Sequence, residues 1–289
     1  MNKRVLVLGA TGMVGHVVYI YLNNLQKYEI SNIVFKTKLN DSSIIVDVTK
    51  KETLENTIKK IQPDVLINCV GVLIKGSNTN PADAIYINSY LPHLLSKVLN
   101  TTGGKLIQIS TDCVFSGDKG SYSESDFKDA IDTYGKTKGL GEVINNHDLV
   151  LRTSIIGPEL KLNGEGLLHW FLTQKGEING YTKSIWSGVT NLQLAKIIEI
   201  AIDKNITGLY HLTNGEKINK YDLLVLAKKI FDLKNINIKK MDGKNIDKSL
   251  VDNRKEPTIS VPSYEIMLTE IYTFMQKHKK YYNHYSLQL

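Results

Sequence analysis

Close to the N-terminus, the apolar run Val5-Leu-Val-Leu8 passes directly into Gly9-Ala-Thr-Gly12-Met-Val-Gly15. That turn opens an apolar-periodic segment from Val14 to Leu25. A run that is apolar at every position suits a strand buried on both faces, as in a parallel sheet covered by helices. Glycines at this spacing let the backbone turn tightly and approach a ligand, and the following helix offers unpaired N–H groups to an anion. Strand, glycine turn and helix together form the setting of a dinucleotide pyrophosphate site. A structural left-handed turn is the alternative reading. Gly9, Thr11, Gly12, Met13, Val14 and Gly15 are the expected cofactor-binding residues here.

The same alternation continues. A second strand, Ile30 to Phe35, ends in Lys36-Thr37-Lys38. An NAD site usually has Asp or Glu near this strand end, on the ribose 2′-hydroxyl. None is present, and Lys36 with Lys38 could instead meet a 2′-phosphate, solvated lysines being the alternative reading; NADP (NADPH preferred, NADH usable) is the expected cofactor. Ile44 to Thr49 reads as a short strand ending in an acidic turn, and Thr53 to Ile61 as a helix stopped before Pro63. Val65 to Ile67 is a buried strand running into Asn68-Cys-Val-Gly71, and Pro81 to Leu99 reads as one long helix containing Asn88. Lys105 to Ile109, Leu149 to Thr153 and Gly208 to Leu212 supply further strands. Strands alternating with helices imply right-handed crossovers and an α/β, doubly wound parallel sheet.

Beyond Ser154 the pattern loosens. Gly157-Pro158 and Asn163-Gly-Glu-Gly166 break the chain, while Leu167 to Leu172, Val189 to Ile202, Tyr221 to Ile230 and Ser263 to Met275 resume helical periodicity. The expected organisation is a dinucleotide-binding unit over 1–155, with returns near 185–213. A substrate lobe would be formed by 156–184 and 214–289.

Composition narrows the class. No apolar stretch approaches the roughly 20 residues of a membrane span, and Met1-Asn-Lys-Arg leads straight into the first strand without a signal peptide. With Cys69 and Cys113 as the only cysteines, a disulfide framework is not expected. A soluble, cytoplasmic protein follows. The net charge of +7 rests on lysine: of 36 basic residues, only Arg4, Arg152 and Arg254 are arginines. Arginine is the usual bidentate reader of phosphates and guanines, and the lysines are scattered, so nucleic acid is not the expected partner. A positive surface still steers anionic small substrates. His16, His147, His169 and His211 lack metal-ligand spacing, and no metal site is expected.

A second stretch carries chemistry. In Thr133-Tyr134-Gly-Lys-Thr-Lys138, the tyrosine and the second lysine stand four residues apart, on one face of a helix. An ammonium beside a phenol favours the phenolate and lowers the tyrosine pKa toward a value useful in proton transfer. Alone, the spacing also fits an exposed helical pair. Upstream, Ser110-Thr111-Asp112 follows a strand, at the carboxyl end where open α/β sheets bind ligands.

The glycine turn, the Ser-Thr after a strand and Tyr-x-x-x-Lys together resemble the short-chain dehydrogenase/reductase superfamily in its extended form. Ser110-Thr-Asp-Cys-Val-Phe-Ser-Gly117, Tyr134 to Lys138 with Gly141-Glu142, and Leu151-Arg-Thr-Ser154 resemble the dTDP-4-dehydrorhamnose reductase group. Gly208-Leu-Tyr-His211 and Lys220-Tyr-Asp-Leu-Leu224 add to that likeness. The resemblance implies that Tyr134 protonates a ketone oxygen as hydride arrives from a nicotinamide. It implies that Lys138 binds the nicotinamide ribose and lowers the tyrosine pKa, and that Thr111 holds the carbonyl oxygen. Asp47 and Val48 would flank the adenine; Cys69, Val70, Gly71 and Ser110 would line the cofactor groove, with Asn88 near the nicotinamide. Lys183, Trp186 and Arg254 are candidates for contacts to the substrate's base or diphosphate. Related dehydratases carry Thr-Asp-Glu where this chain has Thr111-Asp112-Cys113; without the glutamate, reduction of a keto sugar is expected rather than dehydration. Cys113 itself reads as a small buried hydrophobe. Some members hold a divalent metal through a carboxylate early in the first helix, which His16-Val-Val18 does not supply.

The resulting expectation is an NADPH-preferring reductase of a nucleotide-linked 4-keto-6-deoxyhexose, serving deoxysugar and surface-polysaccharide synthesis. Its partner is the nucleotide-sugar substrate, and a homodimer is compatible with it. Three alternatives stay open: a reductase of UDP-linked N-acetylated keto sugars, a sugar-nucleotide 4-epimerase, and a non-catalytic NADP-binding regulatory protein. The regulatory subunit of methionine adenosyltransferase resembles this same group.

Overall fold

Alternate residues of the first strand, β1 (Arg4–Leu8), point to opposite sides of the sheet: Val5 and Val7 into one apolar cluster, Leu6 and Leu8 into another. That is why the run is apolar throughout. The computed structural model describes residues 2–254 and 259–287. Met1, the four residues 255–258 and the last two, which the expected domains include, lie outside the described residues.

After β1 come α1 (Gly15–Asn24), β2 (Glu29–Val34), β3 (Ile44–Ile45), α2 (Lys51–Ile61) and β4 (Val65–Asn68). Then follow α3 (Ile74–Thr79), α4 (Pro81–Ala84), α5 (Leu91–Thr102), β5 (Lys105–Ile109), α6 (Thr133–Leu140) and β6 (Leu149–Arg152). With the later strand Gly208–His211, the strands form a seven-stranded parallel sheet, in the order Gly208–His211, β6, β5, β4, β1, β2, β3. The chain order reverses between β1 and β4, where Leu8 stands opposite Asn68. Ligands of doubly wound sheets bind in the crevice at such a reversal, beyond the carboxyl strand ends.

One apolar cluster lies under α1 and the helices Asn191–Asp203 and Tyr264–Lys277, the other under α2 and α5. The first continues into the C-terminal elements. There Gly176–Tyr181 pairs in parallel with Ile236–Met241, and Ser184–Trp186 is flanked by Ile218–Asn219 and Ile246–Asp247. Among the described residues, no helix is long and apolar enough to cross a membrane.

Two local expectations change. The strand expected over Ile44 to Thr49 pairs only at Ile44–Ile45, because Asp47 Oδ1 accepts the Thr49 N–H and hydroxyl and turns the chain. The single helix expected over Pro81 to Leu99 is three pieces, with a π-helical turn, Ile85–Tyr90, between α4 and α5. Asn88 lies in that turn. Its Oδ1 accepts from Val72 N at 2.9 Å and its Nδ2 donates to Val72 O at 2.9 Å, clamping the segment after β4. Such π turns recur at functional sites.

Candidate active site

Gly9 has φ +84°, in the region open to glycine, and its carbonyl accepts from Gly12 N at 3.0 Å. A Cβ on Gly15 would stand 2.2 Å from Gly9 O, so the helix start packs directly against the turn. The first and third glycines therefore serve close packing, and Met13 and Val14 face the cleft beside Gly12.

That cleft, about 420 Å³, runs across the strand ends at the β1/β4 reversal. It is lined by Cys69, Val70 and Gly71 after β4, by Ser110 and Thr111 after β5, and by Tyr134 and Lys138 of α6. Ile155, Glu159, Lys161 and Glu165 close it from the other side.

α6 is aimed by its own start. Asp132 accepts the Gly135 N–H at 2.8 Å as N-cap. A Cβ at Gly135 would stand 2.1 Å from Cys113 O, so the helix lies against the turn that follows Thr111. The result is that the Tyr134 and Thr111 side chains face each other across the cleft, near enough for the threonine hydroxyl to act on the phenol. Thr111 Oγ1 also accepts from Cys113 N at 3.1 Å and donates to Asp112 Oδ1 at 3.1 Å. Burial pushes the Asp112 carboxyl above its ordinary range and both cysteine thiols up to about 12, which leaves the thiols neutral. Cys113 is half-buried and lines the cleft instead of being packed away, as its sequence reading has it.

Lys138 Nζ donates to Ile109 O at 2.7 Å, the last carbonyl of β5. Burial lowers its pKa to about 8, against the Glu142 carboxylate, which raises it. Burial likewise pushes the Tyr134 phenol above its ordinary value, with the neighbouring Cys113 adding to the shift. The expected lowering of the tyrosine by Lys138 is therefore not what this arrangement shows. The lysine is held by a backbone carbonyl, and desolvation dominates the phenol.

Beneath the cleft lies a buried ionic cluster. Arg152 Nε and Nη2 donate to Glu142 Oε1 and Oε2 at 2.9 and 2.7 Å. Ser110 Oγ donates to Glu142 Oε1 at 2.7 Å, so this hydroxyl is turned inward and only the rest of Ser110 faces the cleft. Arg152 Nη1 bonds His211 Nε2 at 2.7 Å, and its guanidinium lies 5.1 Å from the Phe115 ring centroid. Arg152 thus anchors the sheet end. Glu142 carried no assigned role in the sequence; its signal was only its place after Gly141, whose Cβ would fall 1.8 Å from Asn88 O.

The model of the RmlD substrate binding domain family matches residues 3–280. The chain belongs to this family. Its curated relatives include the Bos taurus methionine adenosyltransferase 2 subunit beta, 26% identical over 250 residues, covering 80% of this chain and 73% of that one. The Shigella flexneri dTDP-4-dehydrorhamnose reductase is 27% identical over 235 residues, covering 77% of this chain and 76% of that one. Among solved structures, the Bacillus anthracis str. Ames dTDP-4-dehydrorhamnose reductase in complex with NADP superposes with TM-score 0.82 at 23% identity. That superposition covers 95% of this chain and all of the other.

Other residues singled out in this RmlD-family chain fall into two groups. Lys36 is exposed just past β2, its Nζ 4.7 Å from the Phe35 ring centroid, and Asp47 and Val48 are half-buried after β3. The Thr49 hydrogen bonds, helped by Lys50 and Lys36, hold the Asp47 carboxyl below its ordinary range. Lys183, Trp186 and Arg254 do not line the cleft. Lys183 pairs with Asp242 at 2.8 Å on the surface. Trp186 is buried, 5.5 Å from the Tyr264 ring centroid, because its strand is sandwiched within the lobe. Arg254 donates to Thr207 O and Leu209 O and stacks on Tyr210 at 5.0 Å. Each of the three contacts protein outside the cleft. Sequence reasoning missed Glu159, Lys161 and Glu165, since their irregular loop carries no periodicity.

Proposed function

We propose that this chain is an oxidoreductase that reduces the 4-keto group of a nucleotide-linked 4-keto-6-deoxyhexose, in the manner of its dTDP-4-dehydrorhamnose reductase relatives. The product would be an activated deoxysugar for surface polysaccharide. The observation that carries this reading is the convergence of Thr111, Tyr134 and Lys138 on one cleft beside the glycine turn. The glycine packing, which leaves no room for a Cβ at Gly9 or Gly15, fits a dinucleotide. Gly12, Met13 and Val14 would hold its pyrophosphate, Asp47 and Val48 its adenosine, and Lys36 the 2′-phosphate of NADP. NADPH supplies the hydride. Lys138 fixes the ribose end, with Cys69, Val70 and Gly71 lining the groove and Asn88 holding that segment through Val72.

Thr111 and Tyr134 share the ketone oxygen in this reading. The threonine hydroxyl orients it, and the tyrosine gives it a proton as negative charge develops. A phenol kept protonated by burial is suited to that donation at neutral pH. Cys113, a neutral thiol, offers no base for removing water, which separates reduction from dehydration.

The test is NADPH consumption with dTDP-4-keto-6-deoxy-L-mannose. Tyr134→Phe is expected to cut turnover by roughly 10²- to 10⁴-fold, the usual worth of a positioned proton donor, while cofactor binding is kept. Intact turnover in that variant overturns the mechanism.

A second reading is favoured by one specific finding: the likeness to the methionine adenosyltransferase subunit is as close as that to the reductases. Stable NADPH binding without turnover on any keto sugar, together with a stoichiometric protein partner, would establish that role. Tightly held NAD co-purifying with the protein would point to an epimerase.

A further inference from the structure

Two tyrosines of the C-terminal segment reach the two opposite walls of the cleft, Tyr282 through the buried His16, Tyr285 both directly at Glu159 and through the buried His169. On one wall, His16 Nδ1 lies 2.8 Å from Gly12 O, and His16 Nε2 lies 3.0 Å from Tyr282 Oη. A carbonyl only accepts, so Nδ1–H donates to Gly12 O, and Nε2 accepts the Tyr282 O–H. Both side chains are fully buried. Gly12 belongs to the glycine turn, so the tail grips that turn from behind.

On the other wall, Tyr285 Oη accepts the Glu159 N–H at 2.9 Å and lies 2.7 Å from His169 Nδ1. His169 Nε2 lies 3.3 Å from Leu162 O. With Nε2–H donating to that carbonyl, Nδ1 accepts the Tyr285 O–H, which also lies 3.4 Å from Glu159 O. Glu159 Oε1 in turn accepts Gly166 N at 2.6 Å. The loop from Glu159 to Gly166 is thus fixed at both ends and in its middle. The walls meet at its end: a Cβ on Gly166 would lie 3.0 Å from Met13 Sδ.

We propose that the segment 278–287 is a brace that sets the separation of the cleft walls, with Tyr282 as a positioning residue acting through His16 and Tyr285 as one acting on Glu159 directly and on the loop through His169. Neither tyrosine lines the cleft; each holds backbone that does. The two links join residues 266 and 126 positions apart in the chain, so the tail couples the glycine turn to the loop, beside Asn191, whose Nδ2 donates to Met13 O at 2.8 Å and Pro158 O at 3.4 Å. The effect on cofactor affinity rests on the dinucleotide reading of the cleft, whereas the bracing itself does not.

The experiment uses the full chain with Tyr282→Phe, Tyr285→Phe and the double variant, which keep the rings and remove only the hydroxyls. Affinity for NADPH is read by nucleotide fluorescence at a temperature well below unfolding, beside hydrogen exchange of backbone amides. Each single variant is expected to weaken NADPH binding roughly five- to tenfold, the scale of one lost buried hydrogen bond. The KM for NADPH rises with kcat little changed. Exchange is expected to quicken at 9–16 in Tyr282→Phe and at 159–167 in Tyr285→Phe, with the central strands unchanged. A lower Tm with unaltered NADPH affinity and unaltered exchange at both walls overturns the brace and leaves the tail as packing only. If the wild-type chain binds neither NADPH nor NADH, the functional reading fails; the exchange pattern then decides the brace by itself, quickened walls supporting it and unchanged walls sinking it.

Discussion

Glu142 takes the Arg152 guanidinium with both carboxylate oxygens, at 2.9 and 2.7 Å, in a pocket that admits almost no solvent to either side chain. Breaking a buried pair leaves one charge uncompensated, which costs far more than the intact pair contributes. Glu142→Ala is therefore expected to destabilise the fold by about 3–5 kcal/mol, measured by chemical denaturation. Replacement by Gln, which keeps the bonds to Arg152 and Ser110 in part, is expected to cost less.

The same carboxylate acts on Lys138. Lys138 has its pKa lowered to about 8, so in the free protein its ammonium is lost as pH rises through that value. Under the proposed function the charged form is the one that binds the ribose, so kcat/KM should fall on a basic limb near pH 8. Glu142 raises the Lys138 pKa, so Glu142→Gln should move this limb to lower pH. A pH–rate profile of both proteins checks the direction.

Two buried histidines set the acid side of stability. Burial lowers His16 and His211 to about 4, with Arg152 adding to the effect on His211. The unfolded chain binds protons at its ordinary histidine pKa near 6.5, before the folded chain does. Stability is therefore full above pH 6.5 and is lost as pH falls from there to about 4. The loss should be on the order of 3 kcal/mol for each histidine, read as a falling urea midpoint between pH 7 and pH 4.5.

Lys36 offers a test of cofactor choice that leaves the chemistry alone. It stands exposed after β2 with no carboxylate bonded to it among the described contacts, close enough to Asp47 to help lower that carboxyl. Lys36→Ala should weaken NADPH binding roughly five- to tenfold, as for one charge-assisted bond to a 2′-phosphate, and leave NADH binding unchanged. Parallel titrations with the two nucleotides measure the ratio.

What could be read in advance was what local periodicity and backbone chemistry encode. The apolar run of β1, the glycine turn and the periodic α1 specify strand, turn and helix within some 25 residues, and repeating that alternation implies the parallel sheet. Thr111, Tyr134 and Lys138 were legible because a strand end and a four-residue helical spacing each fix where a side chain points. The irregular half was not. Lys183, Trp186 and Arg254 looked available for substrate by residue type alone, and only packing showed one in a surface ion pair, one in the lobe core and one capping Thr207 and Leu209. The π turn at Asn88 depends on Val72 and Gly141, which approach it from other segments.

By itself, then, the sequence determined the doubly wound sheet and the three residues that meet at its strand ends, because those follow from contacts within one turn or one strand. The tertiary structure decided the protonation environment of the site, the Glu142–Arg152 support beneath it and the tyrosines that reach its walls from the far end of the chain. Desolvation and contacts between distant segments arise only when the chain closes on itself, and no local pattern of residue types records them.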